Sequence, residues 1–210
     1  NANYEFDVAI VGGLGHVGLP LGIVFADKGL KVCLCDIDKE KAGIVRKGRM
    51  PFIEYGAEPI LKKVLQNGNL TISLDDDSIS KAKNVIVAIG TPVDEYLNPK
   101  TRQFLEFFGG IKKNLRKDQL IVIRSTVYPH TCKQVLNLLG EGWKVAYCPE
   151  RIIQGYAIKE LKELPQIVAG LSDKAFEEAS ELFSKLSLKI IKVTMGEAEL
   201  VKLFSNAWRY

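Results

Sequence analysis

The sequence predicts an α/β protein built on a doubly wound, mostly parallel sheet. Three observations carry that reading. Short apolar runs rich in valine and isoleucine alternate with segments of helical character, the runs are continuous instead of alternating in and out, and the first of them ends in a glycine-rich turn that opens a helix. FDVAIVG (6–12) is the first run, and helical character follows to about Lys28. KVCLCD (31–36) is the second, followed by the polar helix-former stretch DKEKAGIVRKG. NLTISL (69–74), NVIVAIG (84–90), QLIVIRST (119–126) and WKVAYC (143–148) continue the series, with helices expected near 57–66, 76–82, 102–116 and 131–139. QIVAGL (166–171) and KIIKVT (189–194) bracket the helix DKAFEEASELFSKL and are expected to extend the same sheet. No linker-like stretch interrupts 4–194, so these residues read as one domain. The segment 195–210 reads as the start of a helix leading out of it.

Composition narrows the function classes. The chain has 210 residues, 47% hydrophobic and 26% charged, with a formal net charge of +4, as a globular domain with a formed core has. Its lysines are spread through the helical segments, and no basic patch interleaved with aromatics occurs, so nucleic acid is not an expected partner. No apolar stretch is long enough to span a bilayer and no leader is legible, so no membrane is expected and a cytoplasmic setting is the default. Cys33, Cys35, Cys132 and Cys148 lack metal-ligand spacing, and no metal is expected. Cys33 and Cys35 are expected to share one face of a strand as small core residues.

Gly13-Leu14-Gly15-His16-Val17-Gly18 fits G-x-G-x-x-G in the one context where the pattern is informative. The glycines end a strand and open a helix, where backbone N–H groups and the positive helix terminus receive a pyrophosphate. His16 and Val17 stand in the same turn; a lone histidine there is expected to pack. Asp36 closes the second strand, where a carboxylate accepts hydrogen bonds from ribose hydroxyls and repels a 2′-phosphate, selecting NAD over NADP. The domain therefore reads as Rossmann-like and NAD-binding. Ligands of such sheets bind beyond the carboxyl ends of the strands. The turns found there are Gly90-Thr91-Pro92, Ser125-Thr126-Val127-Tyr128-Pro129 and Cys148-Pro149-Glu150-Arg151.

In the closing segment MGEAELVKLFSNAWRY, helical spacing puts Glu199, Lys202, Asn206 and Arg209 on one polar stripe, with Leu200, Val201, Leu203, Phe204, Ala207 and Trp208 around the rest. Apolar faces are expected to be buried, so the stripe either meets water or lines a site.

Taken in order, GLGHVGLPLG, Asp36, GTP, STV, YCPERIIQG and AELVKLFSNAWR resemble the UDP-glucose/GDP-mannose dehydrogenase family of NAD-dependent nucleotide-sugar 6-dehydrogenases. YCPER, with an arginine three residues after the helix asparagine, is similar to the branch acting on UDP-N-acetyl-mannosamine. The resemblance covers essentially the whole chain but only the amino-terminal half of the family's pattern. It implies oxidation of a sugar C6 alcohol to a carboxylate with two NAD and a water, and a homodimeric full-length enzyme. Lys202 and Asn206 would stabilise an oxyanion at C6, and Glu150, helped by Thr126, would act as base or orient the water. Thr91, Pro92, Ser125 and Thr126 would contact NAD, while Arg151 and Arg209 would touch the UDP-sugar. Two departures stand out: Gln154 where UDP-glucose enzymes place a second glutamate, and His130 where the family has glycine. The family's nucleophilic cysteine lies in a GGxCxxxD segment that these residues lack, so the chain is expected not to complete the reaction alone. UDP-N-acetyl-glucosamine or UDP-glucose as substrate, a β-hydroxyacid dehydrogenase relative and a non-catalytic NAD-sensing module are the alternatives.

Overall fold

The computed structural model describes residues 3–91, 95, 100–187 and 189–208, apart from the side chain of Asn206. The described residues form an eight-stranded sheet in the order β3-β2-β1-β4-β5-β6-β7-β8. The strands are β1 Phe6–Val11, β2 Val32–Cys35, β3 Leu70–Ser73, β4 Ala82–Val87, β5 Leu120–Ile123, β6 Lys144–Tyr147, β7 Gln166–Gly170 and β8 Ile190–Lys192. The helices are α1 Gly18–Asp27, α2 Lys39–Arg46, α3 Ala57–Gln66, α4 Thr101–Ile111, α5 Thr131–Leu139, α6 Ala157–Glu163, α7 Asp173–Ser184 and α8 Met195–Ala207.

Strands β1 to β6 pair in parallel, as their continuous apolar runs require, since both faces are covered. Successive strand residues then serve opposite layers. Val8 and Ile10 join Val32, Leu34, Ile86 and Val122 under α1, α2, α3, α6 and α7. Ala9 and Val11 join Cys33, Cys35, Val85, Val87 and Ile121 under α4, α5 and α8. Cys33 and Cys35 indeed share a face, with sulfurs 3.8 Å apart.

Four details differ from the sequence expectation. The segment near 76–82 is a 3-10 turn, Asp77–Lys81, and the helix near 102–116 ends at Ile111 with a 3-10 turn after it. Helix α6 was not anticipated, being only two turns long, and β7 returns antiparallel to β6 (Ala146 opposite Gly170, Tyr147 opposite Ala169) before β8 pairs with it in parallel. In α8 the site-facing alternative holds for the residues described. Glu199 and Lys202 turn inward, at 1% and 8% exposure, while Leu200, Phe204 and Trp208 face outward at 43%, 69% and 92%.

Candidate active site at the carboxyl edge of the sheet

The glycine turn is shaped mainly by its own backbone. Gly12 has φ 77°, and a Cβ on Gly18 would stand 2.4 Å from the Gly12 carbonyl oxygen. A Cβ on Gly13 would meet Ile10 O and Leu34 Cα at 2.8 Å each. These glycines let β1 and α1 approach closely. Gly15 is different. A Cβ there would meet nothing nearer than Gly12 O at 3.4 Å, and the residue lines a cavity of about 910 Å³. Its bareness is therefore not demanded by the fold, which fits a backbone meant to lie against a pyrophosphate. No side chain caps the first turn of α1, leaving its positive end to a ligand.

Asp36 is tied to that turn. Its Oδ2 accepts from Leu14 N at 2.9 Å and its Oδ1 from Asp38 N at 3.1 Å, while the capping of α2 falls to Asp38, which accepts from Lys41 N at 2.9 Å. The carboxylate thus braces the loop and stands beside it at the end of β2. His16 stacks on Phe52 with ring centroids 4.0 Å apart, a packing role, and also borders the cavity.

The cavity gathers Gly15, His16, Val17, Thr91, Ser125, Thr126, Glu150 and Lys202 from five separate parts of the chain. Gly13, Gly18 and Asp36 are not among the residues that line it. Ser125 Oγ donates to Ile89 O at 2.7 Å, locking the turn after β5 to the end of β4. Pro92, Arg209 and the side chain of Asn206 lie outside the described residues. Arg151 is directed elsewhere: its Nη2 donates to the Pro165 carbonyl, and it borders a small recess behind Glu150.

Glu150 is buried against a residue that sequence reading missed. Arg124, 2% exposed, reaches Glu150 Oε2 through Nε at 2.8 Å and through Nη2, and its Nη1 donates to Cys148 O and Gln166 Oε1, each at 3.1 Å. The other oxygen of Glu150 accepts from Arg151 N at 2.6 Å and Ile152 N at 2.8 Å. The available signal was a charge inside the apolar run QLIVIRST. Two further carboxylates hold the site's loops. Glu54, 7% exposed, accepts from Gly155 N at 3.2 Å and Ile158 N at 3.3 Å, fastening the segment after Glu150, which includes the cavity-lining Gln154. Glu199 accepts from His130 N at 2.7 Å and Cys132 N at 3.0 Å. His130 adopts φ 71°, in the left-handed region that favours glycine.

All four cysteines are buried. Burial pushes the Cys148 thiol up to about 12, and burial together with the Glu199 carboxylate raises Cys132. Neither of these two is an activated nucleophile. Among the described residues, no group of histidine, cysteine or carboxylate side chains could hold a metal ion, and no helix is long and apolar enough to cross a membrane.

A doubly wound sheet with a glycine turn, a strand-end carboxylate and a cavity over its carboxyl edge defines a dinucleotide-binding domain of the Rossmann type. The chain belongs more narrowly to the UDP-glucose/GDP-mannose dehydrogenase family, whose NAD-binding domain matches residues 6–187, and its cofactor is NAD. It is 30% identical to a UDP-N-acetyl-D-mannosamine dehydrogenase of Methanococcus aeolicus, over 98% of this chain and 48% of that protein. Identity is 29% to UDP-glucose 6-dehydrogenase YwqF of Bacillus subtilis, over 93% of this chain and 46% of that one. The solved UDP-D-ManNAc dehydrogenase of Pyrococcus horikoshii superposes with a TM-score of 0.89 at 29% identity, covering 96% of this chain and 50% of that one. The chain spans about half the length of the curated relatives it matches.

Proposed function

We propose that this chain is the NAD-binding portion of an enzyme that oxidises the C6 alcohol of UDP-N-acetyl-mannosamine to the carboxylate, using two NAD and one water. The observation that carries the reading is the convergence of Thr126, Glu150 and Lys202 on the cavity that Gly15 and His16 also line. NAD, when bound, supplies the hydride acceptor. The protein's part is to bind, orient and balance charge. Gly15 and Val17 would present backbone to the pyrophosphate over a turn that Gly13 and Gly18 shape, Asp36 would meet the adenosine ribose, and Thr91, Pro92 and Ser125 are assigned to the nicotinamide end.

Lys202 and Asn206 are assigned to the oxygen on C6, a cation and an amide donor aimed where negative charge develops. Both oxygens of Glu150 are engaged by Arg124 and backbone amides, so we assign Glu150, with Thr126, to orienting the water. Arg209 is assigned to the substrate; the same role for Arg151 requires it to turn from Pro165. A cytoplasmic enzyme is the setting we infer. A homodimer is also inferred, the outward stripe of Leu200, Phe204 and Trp208 offering an apolar face to a second copy.

The test is steady-state NADH formation by the full-length gene product with UDP-N-acetyl-mannosamine, UDP-N-acetyl-glucosamine and UDP-glucose. We expect the highest kcat/KM with the first and two NADH per sugar. A faster reaction with UDP-glucose, the substrate in the name of the Bacillus relative, would move the assignment to that sugar. One NADH per sugar would mean that oxidation stops at the aldehyde and would overturn the two-step reading, and none with any sugar would leave a β-hydroxyacid dehydrogenase relative or an NAD-sensing module.

A further inference from the structure

The register of α8 decides whether Lys202 reaches the cavity. Each residue turns a helix by 100° and advances it by about 1.5 Å, so a one-residue slip would aim Lys202 along the wall. Apolar packing resists this only in part, through Ala198 and the partly buried Met195 and Val201. In α8 only Ala198 is a fully buried apolar residue, and Leu200 and Phe204 stand exposed. What fixes the helix is Glu199, buried at 1% exposure, whose two oxygens take the backbone N–H of His130 and of Cys132 at 2.7 and 3.0 Å. Those amides belong to the first turn of α5, which has no side-chain cap of its own. A carboxylate on α8 therefore caps α5 from 67 residues away. The turn ending at His130 begins with Ser125 and Thr126, and Lys202 lies one helical turn beyond Glu199, on the same face.

We infer that Glu199 is a positioning residue for the dehydrogenase reaction: by capping α5 it fixes the rotation of α8 and holds Lys202 over the turn that carries Ser125 and Thr126. This rests on the function proposed above. Displacement of a reacting group by about 1 Å lowers rates on the order of a hundredfold. Replacing the carboxylate with an amide of the same shape leaves one N–H facing an NH₂ donor.

The test compares Glu199→Gln with Val64→Ala, a cavity-forming change in the remote helix α3, in the full-length gene product. Glu199→Gln should lower kcat at least tenfold with the Kd for NAD within twofold. Val64→Ala should lower Tm by a similar or larger amount and leave kcat within twofold. The 210-residue chain gives a second readout, the acetylation rate of Lys202 by acetic anhydride followed by mass spectrometry. That rate should rise at least fivefold in Glu199→Gln and stay within twofold in Val64→Ala. A kcat within twofold of wild type in Glu199→Gln, or a Lys202 rate that Val64→Ala raises equally, overturns the inference. If the unmutated protein oxidises no nucleotide sugar, the dehydrogenase reading fails and the catalytic role given to Glu199 fails with it; acetylation then reports only whether Glu199 holds Lys202.

Discussion

Arg124 closes its guanidinium on the carboxylate of Glu150 at the carboxyl edge of the sheet, and both side chains are almost wholly withdrawn from solvent, at 1% and 6% exposure. A buried pair of this kind is costly to break from one side, because the remaining charge has lost its partner while staying desolvated. Arg124→Leu is expected to cost about 3–5 kcal/mol, or roughly 6–20 °C in Tm for a chain of this length. Thermal unfolding of the two single variants and the Arg124→Leu/Glu150→Leu double variant checks this. The double variant should lose clearly less than the sum of the singles, and additive losses would contradict the pairing.

Two glycines of the turn should separate folding from binding. Gly18→Ala places a Cβ 2.4 Å from Gly12 O and is expected to destabilise the fold, whereas Gly15→Ala, with 3.4 Å of room, should fold normally and lose NAD. We expect a wild-type Tm for Gly15→Ala with at least a tenfold weaker Kd for NAD by fluorescence titration. Unchanged NAD affinity would remove Gly15 from the pyrophosphate site.

Asp36 should set the choice of cofactor. In Asp36→Asn the repulsion of a 2′-phosphate disappears, and the bond from Leu14 N to Oδ2 is at risk. The NAD/NADP affinity ratio should fall at least tenfold, with part of the change a loss of NAD affinity. Equal affinities for both cofactors in the unmutated chain would count against Asp36 as the selector.

His130 holds φ 71° without being glycine. The left-handed region costs a residue with a Cβ about 1 kcal/mol, partly offset in His130→Gly by the freer unfolded chain. A gain of about 0.5–1 kcal/mol is expected, read as a rise in Tm of about 2–4 °C per kcal/mol. A lower Tm would mean that the imidazole makes contacts worth more than the strain.

The cysteines give a pH signature. Cys148 is neutral in the fold, with its thiol pushed up to about 12 by burial, while in the unfolded chain it ionises near the ordinary value of 9.0. Above pH 9 the unfolded state therefore binds fewer protons, and stability falls as pH rises from 9 towards 12. Urea midpoints at pH 8 and 10.5 should show this loss, and Cys148→Ala should reduce it. A thiol reagent should leave all four cysteines unmodified until the chain unfolds, and rapid native labelling of any of them would contradict their burial.

Much of this protein is written locally. Continuous valine-isoleucine runs report strands covered on both faces, and the glycine spacing with Asp36 reports the cofactor turn, because each depends on residues close together in sequence. The sequence by itself determined the order of elements from β1 to β6, the two-sided core, the place of Cys33 and Cys35 within it, and the NAD-binding turn. Only the tertiary structure decided the antiparallel return of β7, the pairing of Arg124 with Glu150 across 26 residues, and the long-range caps by Glu54 and Glu199 across 101 and 67 residues. It also decided that Glu199 of α8 turns inward beside Lys202 and that Leu200 and Phe204 stay outside. Helical periodicity says which residues share a face. It does not say which face meets the protein, and here the face that does carries a buried carboxylate bonded to two distant backbone amides.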